Sequence, residues 1–369
     1  MKILVTGAKG FVGKNLIAEL RNKNYTEIFE FDLDTKEELL EHYCAEADFV
    51  FHFAGINRPQ NQAEFMEGNF GFTSKLLDTL KKHSNVSPII ISSSIQAALD
   101  NPYGQSKKAG EQLLLDYEKE TGAKVLIYRF PNVFGKWCKP NYNSAVATFC
   151  HNIANEIEIT VNDPNVEMSL IYIDDLLNEM IAALEGTEYK VGDFCEVLPV
   201  YQIKLGKIVD LLYGFKKSRE NLNIPSVNDG FEKKLYSTYL SFLPIESFSY
   251  PLTMHKDERG SFTEFLKTSD RGQVSINISK PNITKGNHWH HTKNEKFLVV
   301  SGEGVIRFRK FDSDEVIEYF VNGEKLEVVD IPVGYTHNIE NLGEADMVTV
   351  MWVNEIFDPK NPDTYFMEV

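Results

Sequence analysis

The chain has 369 residues, 43% hydrophobic and 25% charged, so it can hold two domains with separate cores and has the composition of an ordinary globular protein. A formal net charge of −16 argues against nucleic-acid binding and means that an anionic substrate needs a local basic pocket. No apolar run approaches the roughly 20 residues needed to span a bilayer, and Cys44, Cys138, Cys150 and Cys195 show no metal spacing, reading as reduced thiols of a cytoplasmic protein.

The opening Met-Lys-Ile-Leu-Val-Thr-Gly is too short for a signal peptide, and Lys2 to Thr6 reads as a first strand. Gly7-Ala-Lys-Gly10-Phe11-Val12-Gly13 follows, directly before a helical stretch from Lys14 to Asn22. Glycines at these positions permit a tight turn and close approach of a pyrophosphate to the helix N-terminus. A second strand, Glu27 to Phe31, ends in Asp32, placed to bond a ribose hydroxyl. That carboxylate repels a 2′-phosphate and favours NADH, whereas Lys9 and Lys36 can receive the phosphate of NADPH, so the pattern leaves the choice open.

Strands and helices then alternate: strand Asp48 to Phe53, helix Gln62 to Lys82, strand Pro88 to Ser92, helix Tyr103 to Thr121, strand Lys124 to Arg129. The alternation predicts a parallel sheet with helices on both faces and a site beyond the strand ends, at the loops starting at Gly7, Ala54, Ser92 and Phe130. Two of these loops carry chemistry. Ser92-Ser93-Ser94 leaves the fourth strand, and Tyr103 and Lys107 share one face of the next helix. The Lys107 ammonium, with the positive nicotinamide, is expected to lower the Tyr103 phenol and make it a proton donor to a carbonyl that receives hydride. A serine hydroxyl, Ser94 or Ser93, is expected to hold the carbonyl oxygen.

These features resemble the extended short-chain dehydrogenase/reductases that act on nucleotide sugars, over about residues 1 to 240. The resemblance rests on Thr6 to Gly13, His52-Phe-Ala54-Gly55, Asn69, the serine run, Tyr103 and Lys107, Arg129-Phe-Pro-Asn132-Val-Phe-Gly135 and Tyr172-Ile-Asp174-Asp175. It implies a nicotinamide cofactor on Gly7, Gly10, Phe11, Val12, Gly13, Ala54 and Gly55, with Tyr103 as acid, Lys107 as its partner and Ser94 as the carbonyl donor. Asn132, with Lys136, Lys139 and Arg219, would face the nucleotide sugar.

A proline-punctuated junction over 225–250 separates residues 1–243 from 244–369. Beyond it come short alternating runs, Gln273 to Ile278, Lys296 to Val300, Val305 to Phe311, Val316 to Val321, Lys325 to Val329 and Asp346 to Val353, which predict an all-β sandwich or barrel. His288 and His290 lie two apart on what reads as a strand and share a face; Glu295 follows, and His337 sits in Pro332-Val-Gly334-Tyr-Thr-His337. Three imidazoles and a carboxylate suit a divalent metal such as Zn²⁺. The two segments resemble the two cupin motifs, except that Leu326 stands where the second motif begins with glycine. The predicted fold is therefore an α/β Rossmann-type doubly wound parallel sheet followed by an all-β cupin barrel.

Asp257-Glu-Arg259-Gly260-Ser-Phe262 resembles the opening of the sugar-nucleotide 3,5-epimerases, which implies that Arg259 holds a diphosphate. Over its whole length the chain resembles the bifunctional C3-epimerase/4-ketoreductases of capsular polysaccharide synthesis. That implies epimerisation of a UDP-2-acetamido-2,6-dideoxy-4-hexulose at C3, then reduction at C4. The resemblance further implies that the product is UDP-2-acetamido-2,6-dideoxy-L-talose on the route to UDP-N-acetyl-L-fucosamine, with NADPH as reductant, Zn²⁺ in the cupin and a homodimer. Lys296, or else Tyr335, is expected to shuttle the proton at C3. The rival readings are a single-activity ketoreductase whose cupin is a metal-stabilised dimerisation module, and a nucleotide-sugar or redox sensor on a dead reductase fold.

Overall fold

Ile-Leu-Val-Thr at Ile3–Thr6 is a strand buried along its whole length, lying parallel between Ile28–Phe31 and Phe49–His52. An apolar run without polar alternation is what a strand covered on both faces requires. The computed structural model describes residues 1–369 and divides into two units, Met1–Tyr213 with Asn228–Pro244, and Gly214–Val227 with Ile245–Val369.

The first unit is built on a seven-stranded sheet in the order Ile28–Phe31, Ile3–Thr6, Phe49–His52, Ile89–Ser94, Val125–Phe130, Phe194–Cys195, Lys190–Val191. All pairs are parallel except the last hairpin. Successive side chains point to opposite faces, and the core divides accordingly. Ile3, Val5 and Phe51 pack under the helices Phe11–Asn22 and Ile173–Leu184, whereas Leu4, Val50 and Ile91 pack under Glu38–Glu46, Phe72–Lys82 and Pro102–Thr121. The chain steps from Ile3–Thr6 to one side and then back to the other, so the loops after Thr6 and His52 flank the point where strand order reverses.

The helix predicted over 62–82 contains a widened π-helical stretch, Met66–Gly71, between Ala63–Phe65 and Phe72–Lys82. Its buried Asn69 bonds the Ile56 N–H through Oδ1 and donates to Ile56 O and Ser106 Oγ, all at 2.9 Å, which pins the loop after Phe49–His52. Such stretches recur beside functional sites. No helix is long and apolar enough to cross a membrane.

The second unit holds a six-stranded sheet, Met254–Asp257, Gly260–Thr268, Gly272–Ser279, Met347–Val353, Glu295–Ser301, Val328–Ile331, and a five-stranded sheet, Val316–Asn322, Glu303–Lys310, Tyr335–Asn341, Thr284–Trp289, Tyr365–Phe366. Phe297, Val299 and Ile331 of the first and Ile306, Phe308 and Ile339 of the second form one apolar core, as expected of a cupin-like barrel. The predicted strands of this half are all present, Val328–Ile331 shifted from the expected 325–329; Met254–Asp257, Gly260–Thr268, Tyr335–Asn341 and Tyr365–Phe366 were not predicted. Residues 214–227 group with this unit rather than with 1–213, and Lys267 N–H bonds Leu222 O while Ile224 N–H bonds Lys267 O.

Candidate functional site

The turn after the first strand is shaped by glycine. Gly7 has φ +70°, and a Cβ there would lie 2.7 Å from Ala54 N; a Cβ on Gly13 would lie 2.2 Å from Gly7 O. Helix Phe11–Asn22 therefore starts close against the turn, with no side-chain cap and no acidic residue in its first turn. Its free N–H groups and dipole are left for an anion. Asp32 ends the next strand, its carboxylate accepting from Lys9 N–H at 2.7 Å and Leu33 N–H at 2.8 Å, while the Lys9 ammonium pairs with Asp34.

Gly7, Gly10, Phe11, Val12 and Gly13 line one cleft of about 460 Å³ together with Gly55, Ser92, Ser93, Ser94, Tyr103, Lys107 and Asn132. Lys9, Lys14, Lys107 and Lys139 also line it, with no carboxylate. In a chain of net charge −16, this is the local basic pocket that an anionic ligand requires. Ala54 and Asp32 lie outside the lining residues, Ala54 contributing backbone against Gly7.

Helix Pro102–Thr121, capped by Asn101 Oδ1 on the Gly104 N–H, carries Tyr103, Lys107 and Glu111 at four-residue steps along one face. Lys107 Nζ donates to Ser92 O at 3.0 Å and lies 5.9 Å from the Tyr103 ring centre. A Cβ on Gly55 would come within 3.1 Å of this nitrogen, so glycine there admits the lysine. Burial lowers Lys107 to about 8, opposed by the charge of Glu111. Within the chain itself burial raises the Tyr103 phenol, and a hydrogen bond from Ser94 partly opposes this.

The three serines divide their work. Ser94 is the partner of Tyr103; Ser93 donates to Glu111 Oε1 at 2.5 Å; Ser92 turns toward His52 O. Glu111, which motif spacing did not single out, is 3% exposed and is gripped by Arg129 through Nε at 2.9 Å and Nη2 at 2.7 Å. Its signal was the four-residue step beyond Lys107. Of the three basic residues expected to face the sugar nucleotide, Lys139 lines the cleft, Lys136 pairs with Asp174, and Arg219 belongs to the second unit, its guanidinium over the Tyr250 ring.

In the second unit, strand Thr284–Trp289 runs antiparallel to Tyr335–Asn341, which sets His288 opposite His337. The loop to Glu295 brings in the remaining two residues, and the ligand atoms of His288, His290, Glu295 and His337 all lie within 4.8 Å of one another. His290 Nε2, His337 Nδ1 and Nε2 and Glu295 Oε2 are buried without a hydrogen-bond partner. Orphaned buried atoms are costly, and three imidazoles with one carboxylate are a fitting donor set for a divalent ion. His290 Nδ1 lies 2.5 Å from Asp363 O; a carbonyl can only accept, so Nδ1 carries the proton and Nε2 presents its lone pair. The Asp363 carboxylate accepts the N–H groups of His291, Thr292 and Lys293, fixing the connecting loop. Burial lowers His288 to about 4; Glu295 is raised by burial, yet the imidazoles outweigh this and hold it at about 2.

The cluster opens into a pocket of about 850 Å³ that is also lined by Arg259 and Lys285. The Arg259 guanidinium is already bonded to Asp257, at 3.0 and 2.6 Å. Lys296 is a correction. Glu295 and Phe297 face the pocket, so the residue between them points to the opposite side, where Lys296 is exposed and paired with Asp330. Tyr335, the other expected shuttle, packs against the apolar core and does not line the pocket.

The description "NAD dependent epimerase/dehydratase family" matches residues 3–193, more than half of the chain. The chain belongs to the NAD dependent epimerase/dehydratase family. Residues 255–365 match the polysaccharide biosynthesis C-terminal domain. Over 369 residues, all of this chain and 99% of the other, it is 45% identical to the UDP-2-acetamido-2,6-beta-L-arabino-hexul-4-ose reductase of Pseudomonas aeruginosa. It is similar to the crystal structure of the capsular polysaccharide assembling protein CapF from Staphylococcus aureus, at 62% identity and a TM-score of 0.96 over the whole of both chains. The structure of CapF with the inhibitor 3-isopropenyl-tropolone aligns at 57% identity and a TM-score of 0.91, again over both whole chains.

Proposed function

We propose that the chain is a two-site enzyme of capsular sugar synthesis. The second unit epimerises a UDP-2-acetamido-2,6-dideoxy-4-hexulose at C3, and the first then reduces the C4 ketone to give UDP-2-acetamido-2,6-dideoxy-L-talose, on the route to UDP-N-acetyl-L-fucosamine. The observation that carries this reading is the coexistence of Ser94, Tyr103 and Lys107 in a carboxylate-free cleft with the four-residue cluster of the second unit, in a chain that matches a hexul-4-ose reductase end to end.

In the first unit Gly7, Gly10 and Gly13 would hold a nicotinamide cofactor, which when bound would supply hydride, and Asn132 would face the sugar. Tyr103 gives its proton to the C4 carbonyl oxygen, and Ser94 donates a hydrogen bond to that oxygen. Lys107, charged below about pH 8, stabilises the tyrosinate that remains. NADPH is the reductant that the family resemblance implies; Asp32 works against its 2′-phosphate, and the ratio of kcat/KM for NADPH and NADH measures which term wins.

In the second unit His288, His290, Glu295 and His337 would hold Zn²⁺, which supplies Lewis-acid charge for an oxyanion developing beside C3. A ketone at C4 is what makes the C3 proton removable, so epimerisation must precede reduction. We place the enzyme in the cytoplasm as a homodimer. The test is NMR of the 4-ketohexulose substrate in D₂O without nicotinamide, then with NADPH or NADH added. Deuterium at C3 before any cofactor, followed by reduction at C4, supports two activities; reduction without exchange supports a single-activity ketoreductase.

A further inference from the structure

Lys285 lines the second-unit pocket with His288 and His337, although three positions separate it from His288 along one strand. In a regular strand, residues three apart face opposite sides. Asn287, with φ 59°, is an extra residue: Gly286 pairs with Asn338 and His288 already with His337. This bulge returns Lys285, opposite Ile339, to the face that carries His288. The two pairs are about 7 Å apart along the strands.

The surroundings of Lys285 aim its nitrogen. Nζ donates to Asn277 Oδ1 and to Ile278 O, each at 2.8 Å, and unlike Arg259 and Lys293 it makes no ion pair. A neutral amine has two N–H bonds, and both would be used here, leaving the nitrogen lone pair unengaged. Gly260, φ +132°, keeps space open beside it, since a Cβ there would lie 3.4 Å from Nζ and 1.9 Å from Ile278 O. Burial lowers Lys285 below its ordinary value, Asp257 raising it and Arg259 lowering it further, which increases the share of free amine.

We propose that Lys285 is the catalytic base that takes the C3 proton in the second-unit pocket, an assignment that rests on the two-site reading above. The amine lone pair takes the C3 proton; the C–H electrons form a C3–C4 double bond and the carbonyl pair moves to O4, giving an enolate. Water returns a proton to C3 on the opposite face, the carbonyl reforms, and the hydroxide left behind takes the ammonium proton.

The experiment compares the full-length wild type with Lys285→Arg, Lys285→Met and Lys285→Ala. It reads deuterium exchange at C3 without nicotinamide, bound zinc per chain, substrate affinity and NADPH oxidation with already epimerised ketone. Exchange should fall about 100-fold or more in all three variants, with zinc content and ketone reduction unchanged, and methylamine should restore part of it in Lys285→Ala. Retained exchange in Lys285→Arg would reduce the lysine to a charge that orients substrate and overturn the assignment alone. Exchange losses that track zinc loss and resist methylamine would also overturn it. No exchange in the zinc-loaded wild type would remove the two-site reading and the base together.

Discussion

Around the cleft of the first unit the buried polar side chains are partnered within the chain: Lys107 on Ser92 O, Ser93 on Glu111, Ser94 on Tyr103 and the Gln96 N–H. In the second unit Glu295 Oε2 lies 3.2 Å from His337 Nε2 and 3.5 Å from His290 Nε2, yet none of these buried atoms has a hydrogen-bond partner. The contrast separates two ways of preparing a site. The first is preorganised by its own hydrogen bonds; the second offers a donor set that a divalent cation would satisfy.

That contrast can be broken most forcefully at the ligand cluster. His337→Ala should release the metal and lower C3 exchange by at least about 100-fold, while NADPH-dependent reduction of epimerised ketone persists. Metal content by elemental analysis and the two rates, measured on one preparation, check it. A smaller effect is expected at the glycine turn. Gly13→Ala puts a methyl group 2.2 Å from Gly7 O, and overpacking of this kind costs about 1–3 kcal/mol. The KM for the nicotinamide should rise without any change in C3 exchange. The alkaline limb of the reduction separates the sites by pH. Burial holds Lys107 at about 8, so its ammonium is intact below that pH and lost above it. The reductive kcat should therefore decline above about pH 8, and Lys107→Arg should move the decline to higher pH. Smallest is the cofactor choice: Asp32→Ala should raise the NADPH-to-NADH ratio of kcat/KM roughly tenfold by removing a carboxylate near the 2′ position.

The same contrast explains what was legible in the sequence. Gly7 to Gly13, the serine run and the Tyr103–Lys107 step are local patterns whose geometry is settled within one turn or one helix, and they came together in one cleft. The four residues of the cluster were legible because each motif is a short run of sequence, although strands Thr284–Trp289 and Glu295–Ser301, which carry His288 and Glu295, lie in different sheets. Lys296 misled because adjacency to Glu295 looks like proximity, whereas strand parity turns neighbours to opposite faces. Lys285 was hidden for the converse reason: only the bulge at Asn287 brings it to the face of His288, and the Gly286-Asn287 pair, tolerant of left-handed backbone, was the one local hint. Arg219 was misplaced because residues 214–227 join the second unit through long-range contacts with Lys267 that no local pattern records.

The most direct test of two independent chemistries on one chain is C3 deuterium exchange in Tyr103→Phe. Removing the phenol should lower ketone reduction by about 10²–10⁴-fold while exchange proceeds at the wild-type rate. Loss of exchange together with reduction, in a variant that stays folded and keeps its metal, would show one shared site and contradict the account.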